Sequence, residues 1–161
     1  PTDAPPMSPL PVDTVIFTGS RVRELIAGRE TGGRFCMLEF TSPAGRGTPT
    51  HMHERETESV HLLSGELAVI VGEETFHLSP GDSMVLQPNQ PHRLVTGESE
   101  DARYIVVCAP AGFEDFVASC VTDDDGAWPP APPSKNDIDK LLGHAPRFGI
   151  TIFPPAKGPS A

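Results

Sequence analysis

The sequence predicts an all-β domain closed into a sandwich or barrel, with short helices at its C-terminal end. Two observations carry this. From residue 12 to 109 the chain is a succession of short apolar or alternating runs, each ended by a Gly, Pro or Asp turn. After Pro110 the period changes, and apolar residues fall at helical spacing. At 161 residues the chain suffices for one domain with a core that needs no covalent staples.

The elements follow in order. Residues 1–11 (PTDAPPMSPLP) read as an extended Pro-rich arm, because proline breaks both helices and sheet ladders. The barrel is expected over 12–110, with strands at Val12–Thr18, Val22–Ala27, Arg34–Thr41, Ser59–Leu63, Glu66–Val71, Thr75–Leu78, Ser83–Gln87, His92–Thr96 and Ala102–Ala109. In Glu66–Val71 apolar residues occupy both faces, which implies an outer cover, either a C-terminal helix or a second subunit. Residues 111–161 form an extension packing on the barrel. In it Gly112–Val121 places Phe113, Phe116 and Val117 on one helical face. Ser134 and Asp137 form a capping pair for a second helix carrying Ile138, Leu141 and Leu142. The segment Gly149–Pro155 reads as a short strand or an extended segment.

Composition narrows the function. A net charge of −10 argues against nucleic acid and against an anionic membrane surface as partner. No apolar run approaches a membrane span, and no stretch reads as a secretion signal. Cys36, Cys108 and Cys120 are odd in number and widely spaced, and Cys36 and Cys108 lie in apolar runs. They read as core residues of a protein in a reducing, cytoplasmic compartment.

The chemistry is concentrated in Gly47-Thr-Pro-Thr-His51-Met-His53-Glu-Arg-Glu-Thr-Glu58 and in Pro80-Gly81-Asp82 with Pro91-His92. On a strand, residues two apart share a face, so His51 and His53 project into one space. Glu58 opens the next run and brings a carboxylate to the same rim. Imidazoles with a carboxylate suit a divalent transition metal: Fe, Mn, Co, Ni, Cu or Zn. The neighbouring charges Glu54, Arg55 and Glu56 read as a solvated rim, with Glu54 or Glu56 available to hydrogen-bond a ligand imidazole. His61 has the opposite parity to Glu58, and His77 and His144 lie away from the cluster. Which way Arg93 and Tyr104 face is left open.

This pattern resembles the two motifs of the cupin superfamily. His51-x-His53, Glu58 and Gly65 match the first motif, and Pro80-Gly81-Asp82 with Pro91-His92 the second. The resemblance implies a double-stranded β-helix (jelly-roll) barrel with His51, His53, Glu58 and His92 as ligands of one divalent ion. The second motif often carries asparagine four residues after its histidine; here Thr96 stands there. Ala109–Phe116 and Ala145–Ile150 are similar to the C-terminal segments of single-barrel bacterial cupins, including quercetin 2,3-dioxygenase-like ones. That similarity implies a dioxygenase acting on an aromatic or enol-bearing small molecule, with Glu58 both a metal ligand and the base that takes the substrate proton. It also implies a homodimer. Two alternatives use the same residues: an oxygen-independent isomerase, cyclase or decarboxylase, and a non-catalytic metal- or small-molecule-binding barrel. Val60, Leu62, Leu67, Val69 and Leu94 have the parity to line a dry pocket.

Overall fold

The computed structural model describes residues 14–155, so the Pro-rich arm expected at 1–11 lies outside the described residues. Two antiparallel sheets face one another. The larger runs β11 (Thr122–Asp123), β1 (Thr14–Phe17), β2 (Ser20–Ile26), β3 (Cys36–Ser42), β10 (Ala102–Ala109), β5 (Thr57–Ser64), β8 (Ser83–Leu86). The smaller runs β12 (Ile150–Ile152), β4 (His51–His53), β9 (His92–Thr96), β6 (Leu67–Val71), β7 (Glu74–Leu78). This is the expected jelly-roll barrel. Two helices, α1 (Phe113–Cys120) and α2 (Lys135–His144), follow the barrel strands in sequence.

Strand periodicity decides what enters the barrel. In β10 the buried residues are Ala102, Tyr104, Val106 and Cys108; in β5 they are Glu58, Val60 and Leu62; in β9 they are His92, Leu94 and Thr96. Glu58 and His92 therefore point inward because they share parity with an apolar set that must be buried, and a slip of one residue would expel both. Cys36 and Cys108 face each other across β3 and β10 inside the barrel, and all three cysteines are free and buried.

Turns fix the register. Gly65, between β5 and β6, has φ +82°, and a Cβ there would collide with the backbone of Asp101 and Ala102, so only glycine fits. At the Pro80-Gly81-Asp82 turn, Gly81 N–H donates to Leu62 O (2.8 Å) and Leu62 N–H donates to Asp82 O (3.0 Å). The turn thereby holds β5 beside the loop that leads to His92.

The C-terminal stretch belongs to the sheets as well as packing on them. β11 pairs with β1, and β12 pairs with β4 in the register Ile150–His53 and Ile152–His51. The expected capping box of α2 forms: Asp137 N–H donates to Ser134 Oγ (3.1 Å), and Ser134 N–H donates to the Asp137 carboxylate (2.8 Å). Of the expected apolar face only Leu141 is buried, while Ile138 and Leu142 are 45% and 48% exposed. α2 packs chiefly on α1 and on the 3-10 turn Ala145–Phe148 and not over β6, whose outward Ala68 and Ile70 are half-buried. Arg46 ties down the Pro-rich connection before α2, donating to Gly19 O (2.8 Å) and Pro130 O (2.6 Å).

Candidate metal centre and its chamber

His51 and His53 come from β4, Glu58 from the start of β5 and His92 from the start of β9. One donor atom from each lies within 4.8 Å of every other. Glu58 Oε2 is 3.4 Å from His53 Nε2 and 3.3 Å from His92 Nε2. An ion about 2.0–2.2 Å from each donor requires donors roughly 3–4.4 Å apart, a range that both of these distances meet.

Hydrogen bonding sets which ring nitrogen is available. His51 Nδ1–H donates to Pro49 O (2.9 Å), and His92 Nδ1–H donates to Gln90 O (2.9 Å). Both rings thus keep the Nε2 lone pair free and aimed at the common centre. His53 is held differently: its Nδ1 faces Glu56 Oε2 at 3.3 Å, and Phe113 meets its ring edge-on at 5.1 Å. The loop after β8 braces the same strand, with Asn89 N–H donating to His53 O (2.7 Å).

The arrangement is costly unless a cation completes it. His53 Nε2, His92 Nε2 and Glu58 Oε2 are buried, and none has a hydrogen bond of good geometry. Three such atoms converging on one point offer their electron pairs to a common centre, an arrangement that could hold a metal ion. Burial, reinforced by His92, pushes the His51 pKa down to about 4, so its imidazole is neutral as ligation requires. At Glu58 burial opposes ionisation, but contact with His92 and the nearby imidazoles outweighs it and holds the carboxyl below its ordinary value. His92 is the complement: burial works to lower it, and the Glu58 carboxylate prevails and raises it.

The site opens into a two-part hollow. An inner chamber of about 60 Å³ is bordered by His51 and Glu58 and walled by Phe17, Phe40, Phe113 and Phe116. An outer chamber of about 860 Å³ runs out beneath α2 and the Pro-rich segments, past Pro132, Ile138, Leu142 and Phe153. Thr18, Ser20, Thr48, Leu94 and Tyr104 border both and form the waist between them. Tyr104 faces inward, stacked on Phe40 at 5.4 Å, and burial pushes its pKa up to about 12.

The family profile described as "Cupin domain" matches residues 38–108, the stretch that contains all four site residues. The chain carries a cupin domain. It is 23% identical over 141 residues to quercetin 2,3-dioxygenase of Bacillus subtilis, covering 87% of this chain and 42% of that protein. It is 32% identical over 85 residues to L-ectoine synthase of Vibrio campbellii, covering 52% of this chain and 63% of that one. The chain thus spans well under half of one curated relative and less than two thirds of the other. Among solved structures, a polyketide cyclase from Streptomyces resistomycificus superposes with a TM-score of 0.52 at 27% identity, covering 62% of this chain and 72% of that one.

Each sequence-predicted site residue of this chain can now be placed. His51, His53, Glu58 and His92 come together as expected. His61 points out of the barrel and bonds Ser83 Oγ through Nδ1 (2.6 Å). Glu54 and Arg55 are exposed, as a rim should be, but Glu56 is buried beneath His53. Thr96 spends its hydroxyl on a loop, donating to Pro43 O (2.8 Å) and accepting from Arg46 N–H (2.9 Å). The expected pocket set divides: Leu67 and Leu94 border the hollow, while Val60, Leu62 and Val69 are sealed in solid core. Sequence reading missed the phenylalanine wall. Its only signal was the Phe113–Phe116 spacing, which reads equally well as an ordinary amphipathic helix.

Proposed function

We propose that this cupin binds one divalent transition metal ion through His51, His53, Glu58 and His92 and acts as a dioxygenase on an aromatic or enol-bearing small molecule. The observation that carries the reading is the convergence of buried, unpartnered donors at the floor of an apolar hollow. An ion bound there would leave a net charge near +1 and supply Lewis acidity together with a binding position for dioxygen. Glu58 borders the inner chamber and is held in its base form, so it is placed to accept the proton of an enol or phenol hydroxyl. The phenylalanine walls exclude bulk water from a reactive enolate.

A second reading, an oxygen-independent cyclase, isomerase or decarboxylase on the same residues, is supported by the likeness to the polyketide cyclase and to L-ectoine synthase. Metal content and oxygen dependence separate the two. Protein purified without added metal or chelator should carry near-stoichiometric first-row transition metal. His92→Ala should lose most of it while keeping the native circular dichroism. Full occupancy in that variant would remove His92 from the ligand set. Oxygen uptake with enols and phenols supports the first reading; turnover under argon, above all with zinc bound, supports the second.

The same proposal includes a cytoplasmic homodimer. Three free buried thiols favour a reducing compartment. Outward Ala68 and Ile70, with Val85 51% exposed on the other sheet, favour pairing through an outer sheet face. Among the described residues no helix is long and apolar enough to cross a membrane, which says nothing of membrane-crossing strands. Light scattering at micromolar concentration should read twice the chain mass of 17.2 kDa, and a monomer overturns the dimer.

A further inference from the structure

The waist between the two chambers carries a chain of three hydroxyls. Ser20 Oγ lies 2.8 Å from Ser42 Oγ, which lies 3.0 Å from the Tyr104 hydroxyl. Three hydroxyls own three protons, and two internal bonds consume two of them. If the chain runs from Tyr104 towards Ser20, the Ser20 proton is left over; if it runs the other way, the Tyr104 proton is. Ser20 and Tyr104 both border both chambers, so in either direction the leftover proton belongs to a residue of the wall the chambers share. Tyr104 and Ser42 are 3% and 5% exposed and Ser20 is half-buried. When the leftover proton is on Tyr104 it is a buried donor that lacks an acceptor until something fills that role.

The sizes of the chambers say what that something belongs to. A cavity of roughly 150 Å³ is needed to hold a benzene ring. The inner chamber's own volume, about 60 Å³, is below that, but it opens into the outer chamber through the wall they share, so a substituent reaches in while the rings stay outside. The outer chamber, at about 860 Å³, is large enough for several fused rings.

We propose that Ser20, Ser42 and Tyr104 form a recognition site for a carbonyl oxygen of a multi-ring substrate, whose rings occupy the outer chamber while a separate hydroxyl reaches the metal residues through the inner one. The inner half of this assignment rests on the metal-site reading above. The waist half does not. The substrate class is thus a polycyclic phenol or enol with a second oxygen function remote from the reacting one. Tyr104 and its serines act as specificity-determining residues, and single-ring phenols lack the reach to use them.

The test employs a probe pair on zinc-loaded protein under argon: a dihydroxyanthraquinone, and the matching dihydroxyanthrone that lacks the second carbonyl. Wild type should bind the quinone roughly three- to tenfold more tightly than the anthrone, the range one hydrogen bond supplies. Tyr104→Phe combined with Ser20→Ala removes the donor at both ends of the chain and should abolish that preference, whereas Ser42→Ala alone frees both end protons and should keep it, with metal content and the unfolding midpoint near wild type in each. Catechol should bind more weakly than either probe and be indifferent to both variants. His92→Ala separates the two readings. If it weakens both probes but the Tyr104→Phe/Ser20→Ala double variant leaves the preference intact, the waist proposal falls and the metal reading stands. If the preference responds to that double variant but His92→Ala changes nothing, the metal-anchored half falls and the waist site stands. A wild-type protein that binds neither probe, or binds catechol more tightly than both, overturns the proposal.

Discussion

The half of the barrel built on β5, β6 and β8 is solid, whereas the half closed by β1, β4, β12 and the two helices is hollow. Val60, Leu62, Val69 and Leu86 are almost completely buried and border neither chamber. Phe17, Phe40, Phe113, Phe116 and Leu141 are buried almost as well, yet one side of each faces empty space. Equal burial therefore conceals unequal packing. The solid half supplies stability and holds Glu58 in place. The hollow half gives up contacts that could have stabilised the fold, and the volume it leaves is where a small molecule fits.

That contrast is open to a direct break. Leu62→Ala removes methyl groups from a site with no neighbouring void, so it should leave a new cavity and cost about 3–5 kcal/mol of unfolding free energy. Leu141→Ala removes the same atoms beside existing space, where most of the lost contact was one-sided, and should cost about 2 kcal/mol or less. Urea unfolding of the two variants decides it. Equal costs would mean that the hollow is packed in solution, and both chamber volumes would lose their force.

The same contrast explains what could be read from the sequence. Parity along a strand reports inside against outside. It therefore located the histidines, Glu58 and the inward set Val60, Leu62, Leu67, Val69 and Leu94. It does not report full against empty, because that depends on what lies across the barrel, and here the opposing wall comes from Phe113, Phe116, Leu141, Ile150 and Ile152, up to some 90 residues on in the chain. The convergence of His51, His53, Glu58 and His92 was legible because these residues sit within or beside strands with strong apolar alternation. The hydroxyl chain was not, since Ser20, Ser42 and Tyr104 are individually unremarkable and meet only through the β2–β3 and β3–β10 pairings. Glu56 was half-legible: its position between the motif histidines and Glu58 made it a candidate partner of a ligand imidazole. The charged triplet Glu54-Arg55-Glu56, however, reads as solvated loop, and only the fold separates its two exposed members from its buried one.

Glu56 offers a finer probe of the hollow half, because it lies between β4 and the entrance to α1 and tests whether that half positions the site or merely supports it. His51 and His92 are oriented by backbone carbonyls, which no substitution removes, whereas His53 faces a side chain. Glu56 Oε2 lies 3.3 Å from His53 Nδ1, close but without the geometry of a hydrogen bond, has no hydrogen-bond partner, and is buried beside Gly112 at the entrance to α1. A carboxylate in that place fixes the ring and strengthens the electron pair at Nε2, an effect usually worth about 10–100-fold in metal affinity. Glu56→Gln keeps the shape and a hydrogen-bonding group but removes the charge, so it should weaken zinc binding by roughly tenfold, the low end of that range. A competition titration against a chromophoric chelator reads the affinity, and thermal unfolding of the metal-free protein reads the fold. Weaker zinc binding with an unchanged metal-free midpoint makes Glu56 a positioning residue for His53. A lowered midpoint with unchanged affinity would make it a structural plug under β4, and would leave His53 oriented by the edge of Phe113 and the backbone of its own strand.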